Sequence, residues 1–282
     1  MSLLLSLSMA LGLLTLPARA QDAPPPPPVD SLHATYDTLL DLYVRDGFVY
    51  YRALESDRGR FDRYIASLDV SPAVYAKWTR DQQLAFWINA YNALVLRTII
   101  DHYPIRGRAA AYPASSIRQI PGAFDTIAYR VGGERLTLDQ IEQTKLPSFK
   151  EPRAFLALGR GAFGGGRLHS EAYTSARLEE QLQGVAKECL TLKECIVIDE
   201  ASGTVGVSPV FSWREAQFVE TLGATEMPEF PGRSPIERAV LALVRPNILP
   251  GERTFLRQNN FKLTFQPFDW RLNDLTGGMP AR

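Results

Sequence analysis

The spacing of apolar residues predicts helices in the first third of the chain. Apolar positions between residues 32 and 43 recur at intervals of three or four, and Gly47 ends this pattern. The same spacing at 61–68 predicts a second helix. A third, strongly apolar helix is predicted over about 82–101, because Pro104 cannot continue it.

The rest of the chain mixes strand and helix signals. Gly132-Gly133 lies between two short segments and predicts a two-residue β-hairpin turn. The predicted strands are 126–131, 134–137, 154–158, 196–198, 204–207 and 261–265. Helices are predicted at about 175–189 and from Ser208-Pro209 onward.

Capping residues predict where several helices begin. Ser71 precedes Pro72, a combination typical of an N-cap followed by the first helical residue. Thr137–Gln140 and Ser234–Glu237 match the capping box, in which the side chains at the two ends satisfy each other's backbone N–H groups. These three helix starts depend only on local sequence.

The order of the elements indicates the fold class. Helices come first and strands mixed with helices follow, with no regular strand–helix alternation and no internal repeat. This order predicts an α+β domain with a helical N-terminal half and a small, mostly antiparallel sheet. No segment after Val29 has the composition of a linker, so we predict one domain over 31–275 and a tail over 276–282.

Composition and charge narrow the possible partners. The 282 residues include 31 Lys plus Arg and 31 Asp plus Glu, so the formal net charge is zero. A neutral chain lacks the basic surface that binds nucleic acid or anionic lipid, and we expect neither partner. Hydrophobic residues make up 45% of the chain, which is enough for a substantial core.

The N-terminus predicts export. Residues 2–17 are almost wholly apolar or small and lead to Ala18-Arg19-Ala20, a small-x-small cleavage pattern. We interpret 1–20 as a signal peptide, with a buried N-terminal helix as the alternative. Residues 21–30 contain five consecutive prolines and predict a stiff spacer. The mature protein is then periplasmic or secreted, without a stable membrane span.

The two cysteines fit an oxidising compartment. Cys189 is predicted to end a helix and Cys195 to begin a strand, so a short turn could bring them together. In an exported chain this arrangement permits a disulfide. The competing interpretation, a catalytic thiol, is weaker because neither cysteine has a histidine nearby in sequence.

The segment 157–173, ALGRGAFGGGRLHSEAY, has the most unusual composition and is called the glycine loop below. Its five glycines within eight residues bring bare backbone close to another group or leave room for a ligand. Gly159 to Gly164 formally fits a dinucleotide fingerprint, but no helix follows at once, so we expect no nucleotide cofactor. Ser170 is the segment's only candidate nucleophile.

Other polar and aromatic residues allow more than one interpretation. His33, His102 and His169 lack metal-ligand spacing, so no metal site is predicted. Two amides in the most apolar helix, Asn89 and Asn92, need partners and either bond to backbone or line a cleft. The tryptophans considered as a carbohydrate platform are assigned to the core instead: Trp87, Trp213 and Trp270.

Six ordered blocks resemble a known family. They are AFWINAYNALVLRTIIDHYP, GGERLTLDQIEQTKL, PRAFLALG, EAYTSARLEEQL, VSPVFSWREAQF and PFDWRLND. Together they resemble the bacterial domain of unknown function family 547 from about His33 to Asp274. The resemblance implies a relative of papain-like and transglutaminase-like cysteine hydrolases.

The chain departs from the family pattern at its reactive positions. The family's histidine after the Ile-Glu pair corresponds to Gln143, and its second histidine corresponds to Phe155. Its loop cysteine and the following proline correspond to Gly165 and Gly166, and an earlier loop cysteine corresponds to Arg160. A thiolate mechanism needs both the thiol and its base, so the resemblance implies a degenerate member.

These observations predict a catalytically inactive protein that binds a small molecule or envelope peptide. The ligand-binding candidates are Asn89, Asn92, Arg160, Gly164, Gly165, Gly166 and Tyr173. One alternative is a hydrolase of altered chemistry, with His169, Ser170 and Glu142 as its catalytic candidates. The other alternative is a non-catalytic adaptor protein of the cell envelope.

Overall fold

A computed structural model describes residues 29–223, 228 and 230–276. The predicted signal peptide, the prolines of the spacer and nearly all of the predicted tail lie outside these residues. The first helix begins at Val29, so the last two residues of the predicted spacer are helical.

About half of the described chain is helical. The α-helices are α1 (Val29–Leu32), α2 (Ala34–Tyr43), α3 (Tyr51–Ser56), α4 (Arg58–Ser67), α5 (Pro72–Tyr75), α6 (Arg80–Ile100), α7 (Leu138–Gln140), α8 (Arg153–Leu156), α9 (Leu178–Cys189), α10 (Val210–Trp213), α11 (Glu215–Phe218), α12 (Pro235–Val244) and α13 (Pro250–Arg257). Short 3-10 helices span Ile117–Gln119, Leu146–Phe149 and Arg245–Asn247, and π-helical turns span Ile141–Lys145 and Val219–Gly223.

The strands form three small sheets. They are β1 (Val44–Arg45), β2 (Phe48–Val49), β3 (Ala128–Val131), β4 (Glu134–Thr137), β5 (Ile196–Asp199), β6 (Thr204–Val207) and β7 (Lys262–Phe265). β1 pairs with β2, β3 with β4 and β5 with β6, all antiparallel. β7 adds to β6 in parallel, with Val205 opposite Leu263. The small, mostly antiparallel strand content agrees with the predicted α+β class.

α6 is the central element of the fold. Thr79 and Gln82 form a capping box that satisfies backbone N–H groups at its first turn. Every residue from Leu84 to Leu96 is buried, so the helix is surrounded on all sides. The predicted start at 82 and end at 101 lie within two residues of the observed limits. One continuous core includes side chains from Tyr36 near the N-terminus to Leu272 near the C-terminus, as expected for a single α+β domain.

The structure confirms the predictions made from local signals. The capping boxes of Thr137 and Ser234 form as predicted, and Ser71 caps α5. Gly132 and Gly133 both have positive φ angles and close the β3–β4 turn. The helix predicted from Ser208-Pro209 is instead two short helices, α10 and α11, which are separated at Arg214.

The predicted strand at 154–158 is wrong, because residues 153–156 form helix α8. Each residue from Ala154 to Leu158 is buried, and a short apolar run does not distinguish a buried strand from a buried helix. Its alanines, leucines and phenylalanine include no β-branched residue, and Pro152 lies at the N-cap, so the local sequence permits the helix.

Cys189 and Cys195 form a disulfide that links the end of α9 to the residue before β5. These are the two cysteines of the chain, so neither has a free thiol in this structure. The bond agrees with the disulfide interpretation of the sequence.

Candidate functional site

An open cleft of about 660 Å³ is lined by residues from 118–160 and 213–270. Three arginines, two acids, a glutamine and three aromatic residues line it: Arg118, Phe124, Asp139, Glu142, Gln143, Arg160, Trp213, Arg214 and Trp270. Two of the sequence-predicted site residues, Glu142 and Arg160, are among them. We call this the arginine–aromatic cleft.

The β4–α7 junction positions the acidic side of the cleft. Thr137 and Gln140 cap each other's backbone N–H groups at the start of α7, which carries Asp139. A π-helical turn, Ile141–Lys145, follows directly and contains Glu142 and Gln143. Such turns interrupt the regular helical spacing and are frequent at functional sites.

Glu142 is the centre of a buried polar network. Its Oε1 accepts a hydrogen bond from Arg160 Nη2 at 2.6 Å and another from Arg214 Nε at 3.0 Å. Its Oε2 accepts a bond from the Tyr91 hydroxyl at 2.9 Å. Glu142 is 5% exposed, so this carboxylate needs all three donors.

The charge state of Glu142 follows from these neighbours. Burial opposes ionisation of its carboxyl group, but the two guanidinium groups outweigh burial and hold its pKa below the ordinary value. The nearby Asp139 behaves in the opposite way. Burial, and then the charge of Glu142, raise the pKa of Asp139.

Arg160 forms the floor of the cleft and is held in place on all sides. Its Nη1 donates to the carbonyl oxygens of Phe155 and Leu158 at 3.2 and 3.3 Å, in addition to the Glu142 bond. Its φ angle is 46°, a left-handed conformation that is uncommon for a residue other than glycine. The side chain is 2% exposed.

Phe155 and Gln143, the two residues that the resemblance aligns with histidines, lie beside the same network. The Phe155 ring lies against Arg214, whose guanidinium carbon is 5.2 Å from the ring centre. Gln143 follows Glu142 and is exposed in the cleft. Neither a phenylalanine nor a glutamine side chain can act as a general base. These two positions therefore add no base to the network around Glu142.

Arg118 is exposed at the cleft's edge and packs against three aromatic rings. Its guanidinium carbon is 4.4 Å from the centre of the Trp270 ring, 4.7 Å from that of Phe124 and 6.0 Å from that of Tyr112. Such cation–π contacts orient the guanidinium plane. The Arg118 side chain donates no hydrogen bond to any residue within the described ranges.

The aromatic wall continues from Trp270 to Trp213. Their ring centres are 6.2 Å apart at an interplanar angle of 20°, and the Phe268 ring packs against both, with its centre 4.9 Å from that of Trp213 and 4.3 Å from that of Trp270. Trp213 is 45% exposed, so its assignment to the core is wrong, whereas Trp87 is buried as predicted. A wide, half-exposed aromatic surface beside charged groups is typical of ligand sites.

The glycine loop is packed against backbone. A Cβ atom added at Gly165 would overlap the Gly159 carbonyl oxygen, and one added at Gly166 would overlap that of Leu156. A Cβ atom at Gly164 would lie 2.7 Å from the Asp269 amide nitrogen. The sequence suggested that these glycines either let the backbone approach another group closely or leave room for a ligand. At these three positions they allow close approach of the backbone.

Small spaces remain beside this loop. Gly164, Gly165 and Gly166 line a small, partly open cavity of about 30 Å³, which has room for only a few water-sized molecules. Gly165 and Gly166 also border a surface groove of about 190 Å³, together with Phe48 and Phe163. Neither space contains Arg160 or Glu142, so these glycines lie outside the arginine–aromatic cleft.

Asn89 and Asn92 hold two segments of backbone against α6. Asn89 donates to the Tyr173 carbonyl oxygen at 2.8 Å and accepts from the Tyr173 amide at 2.9 Å. Asn92 donates to the Ala157 carbonyl oxygen at 3.0 Å and accepts from the Gly159 amide at 2.9 Å. Each amide group thus bonds to backbone, one of the two roles considered from sequence.

The remaining candidates lie around the far end of the glycine loop. His169 Nε2 is 2.9 Å from Glu188 Oε2, and its ring stacks on the buried Tyr173. Ser170 is exposed and lines a separate open groove with His33, Asp37 and Glu171. The lining of the arginine–aromatic cleft includes neither His169 nor Ser170.

Residues 75–190 match the family model described as "Protein of unknown function, DUF547". This range is therefore similar to DUF547 domains. No curated protein and no solved structure matches the chain. The matched range holds Arg118, Asp139, Glu142 and Arg160, whereas Trp213, Arg214 and Trp270 lie after it. The cleft therefore combines side chains of the matched range with side chains from the C-terminal part of the chain.

Sequence reasoning missed much of this cleft. Arg118 lies in no motif, and Asp139 and Arg214 lie in resemblance blocks that do not mark them as site residues, so only tertiary packing brings the three together. Trp213 and Trp270 belong to the resemblance blocks but were assigned to the core. In the part of the chain that the structure describes, no group of three or more His, Cys, Asp and Glu side chains is arranged to hold a metal ion. Across the same residues, no helix has the length and hydropathy of a membrane span.

Proposed function

We propose that this protein binds a small molecule or short peptide in the arginine–aromatic cleft and does not hydrolyse it by thiol chemistry. The observation that carries the proposal is the Arg160–Glu142 pair. A guanidinium forms the floor of the cleft at a position that the resemblance assigns to a cysteine, and it is bonded to a buried carboxylate. A floor formed by this paired guanidinium, together with an aromatic wall, can bind a ligand but offers no nucleophile.

The surrounding positions support binding without thiolate catalysis. A cysteine nucleophile needs a free thiol and a base to activate it. Both cysteines of this chain are joined to each other. Gly165 and Phe155 stand where the resemblance implies the loop cysteine and a histidine, and backbone already occupies the space that a side chain at Gly165 would need. We therefore propose a degenerate relative of papain-like or transglutaminase-like hydrolases.

We further propose that the protein works outside the cytoplasm, in the periplasm or as a secreted protein. The apolar residues 2–17 and the Ala18-Arg19-Ala20 pattern support export. The Cys189–Cys195 disulfide supports the same compartment, because disulfides persist in oxidising environments and are rare in the cytosol. Envelope peptides are then natural candidates for the ligand.

A thermal-shift screen of the chain from Gln21 onward tests this function. The panel contains short peptides, amino sugars, polyamines and dicarboxylates, with each well also assayed for turnover. A ligand at about one hundred times its Kd stabilises the protein by about 2.7 kcal/mol, which gives a clear shift. We expect a shift without turnover for at least one class.

Two variants show whether binding occurs in the cleft. Trp213→Ala removes the exposed part of the aromatic wall and is expected to abolish the ligand-induced shift. Tyr50 lies outside the cleft and is 39% exposed, compared with 45% for Trp213. Tyr50→Ala should therefore leave the ligand-induced shift unchanged. Turnover abolished by Ser170→Ala or His169→Ala would instead support the hydrolase alternative. The adaptor alternative would gain support if no compound shifts the protein.

A further inference from the structure

Two charged groups of the arginine–aromatic cleft have no hydrogen-bonding partner in the described residues. Arg118 is oriented by the Trp270 and Phe124 rings, but its five N–H donors bond to no described side chain or carbonyl group. Asp139 is partly buried in the cleft and forms no hydrogen bond or ion pair through its carboxylate within the same residues. Its backbone amide is bonded to the Phe124 carbonyl oxygen at 2.9 Å, which fixes its position.

The other cleft charges already have partners. Glu142 accepts bonds from Tyr91, Arg160 and Arg214, and Arg160 also donates to two backbone carbonyl groups. This leaves the Arg118 guanidinium and the Asp139 carboxylate to bond to a ligand, because the charges of Arg118 and Arg214 act on Asp139 without a hydrogen bond among the described residues. An oriented guanidinium presents a fork of donors that matches a carboxylate, and it loses little conformational entropy on binding because stacking already fixes it.

We propose that Arg118 binds the carboxylate and Asp139 the ammonium group of an amino-acid-like or short peptide ligand, with its apolar part packed on Trp213 and Trp270. This inference rests on the proposed function and specifies the ligand of the same cleft. A purely anionic ligand would gain from Arg118 but would be repelled by Asp139. A purely cationic ligand would be attracted by Asp139 but repelled by Arg118. A zwitterion satisfies both groups.

Four forms of one dipeptide test the inference by isothermal titration calorimetry: free alanyl-phenylalanine, its N-acetyl form, its C-terminal amide and the doubly blocked form. We expect the free dipeptide to bind tightest, and we expect blocking either end to weaken binding about tenfold, because each block removes one charge-assisted contact. Equal affinity for the four forms would overturn the inference.

Single variants assign each end of the ligand to its residue. Arg118→Gln should bind the free and amidated dipeptides equally while still preferring a free ammonium group. Asp139→Asn should lose the preference for a free ammonium group and keep the preference for a carboxylate. Arg118→Lys keeps the charge without the fork and should lie between wild type and Arg118→Gln. Equal discrimination in the variants and the wild type would overturn the assignment.

Surface variants and the wider panel separate this inference from the proposed function. Arg130→Gln and Asp81→Asn remove exposed charges outside the cleft and should leave all four affinities unchanged. Cleft binding of other compounds, with none of the dipeptides bound, would overturn the zwitterion inference and leave the binding function standing. The absence of any ligand across the whole panel would overturn both. A dicarboxylate that binds tighter than the free dipeptide would contradict the role of Asp139.

Discussion

Arg160 donates a hydrogen bond to Glu142, with 2.6 Å between Arg160 Nη2 and Glu142 Oε1. Both side chains are almost fully buried. A buried ion pair of this kind costs desolvation energy and is not by itself strong support for stability. It does, however, make each partner hard to remove alone. The pair therefore fixes the cleft floor and excludes a small reactive side chain at position 160.

Arg160→Met should destabilise the protein strongly. The substitution leaves the Glu142 carboxylate buried with only Arg214 and Tyr91, and breaking a buried pair typically costs about 3–5 kcal/mol. Urea unfolding at neutral pH measures the change. Arg130→Ala, which breaks an exposed pair with Asp69, should cost less than about 1 kcal/mol. The double variant Arg160→Met with Glu142→Leu should recover part of the loss, and a further loss instead would contradict this account.

Gly165→Cys should destabilise the fold and create no hydrolase. A side chain at this position overlaps the Gly159 carbonyl group, and forcing atoms into packed structure costs about 1–3 kcal/mol or more. The nearby Phe155 supplies no base, so we expect no turnover of peptide or ester substrates. Thermal unfolding and an activity assay measure the two effects, and detectable turnover by this single variant would refute the binding-only proposal.

Gly184→Ala is the matched control for that substitution. Gly184 lies inside α9 and has open space at its Cβ position. Alanine there should stabilise the protein by about 0.5–1 kcal/mol, since it has the higher helix propensity. Opposite signs for the two glycines would show that close backbone approach, and not general intolerance of substitution, requires glycine at 165.

Asn92→Ala should loosen the glycine loop. The substitution leaves the Gly159 amide and the Ala157 carbonyl group without their partner in a buried site, at a cost of about 3 kcal/mol in total. Amide hydrogen exchange at Gly159, together with urea unfolding, measures the local and global effects. Asn247→Ala, at an exposed position, should change stability by less than about 0.5 kcal/mol. If the rate of amide hydrogen exchange at Gly159 is unchanged in Asn92→Ala, Asn92 does not hold this part of the glycine loop in place.

Asp139→Asn should stabilise the protein at neutral pH. Burial and the neighbouring Glu142 raise the pKa of Asp139 in the folded state, so its ionisation works against folding as the pH rises through that pKa. The stabilisation should disappear toward pH 3, where the wild-type carboxyl group is protonated in both states. Unfolding free energies measured between pH 3 and 7 check the sign, and a gain that is equal at every pH would show that ionisation is not the cause.

Glu142 should show the opposite pH dependence. Its pKa is lowered in the folded state, because Arg160 and Arg214 outweigh burial, so its contribution is present above the unfolded pKa and is lost as the pH falls. In the same titration, Glu142→Gln should lose more stability at pH 7 than at pH 3. An equal loss at both pH values would mean that shape and not charge accounts for the role of Glu142.

Some of the fold was determined by sequence alone. The capping boxes of Thr137 and Ser234, the Gly132-Gly133 turn and the long apolar helix α6 all formed as predicted. Each depends on residues within a few positions of one another, where backbone hydrogen bonding and φ preferences act directly. The α+β class followed from the order of such elements.

Tertiary structure decided the rest, because it depends on distant partners. The apolar run at 154–158 suits a buried strand or a buried helix equally well, and only its surroundings made residues 153–156 helical. Arg118, Asp139 and Trp270 come from three separate segments, so no local pattern predicts that they share a cleft. The sequence places Arg160 and Glu142 in two separate segments, and only the structure pairs this arginine with the buried glutamate at the floor of the cleft.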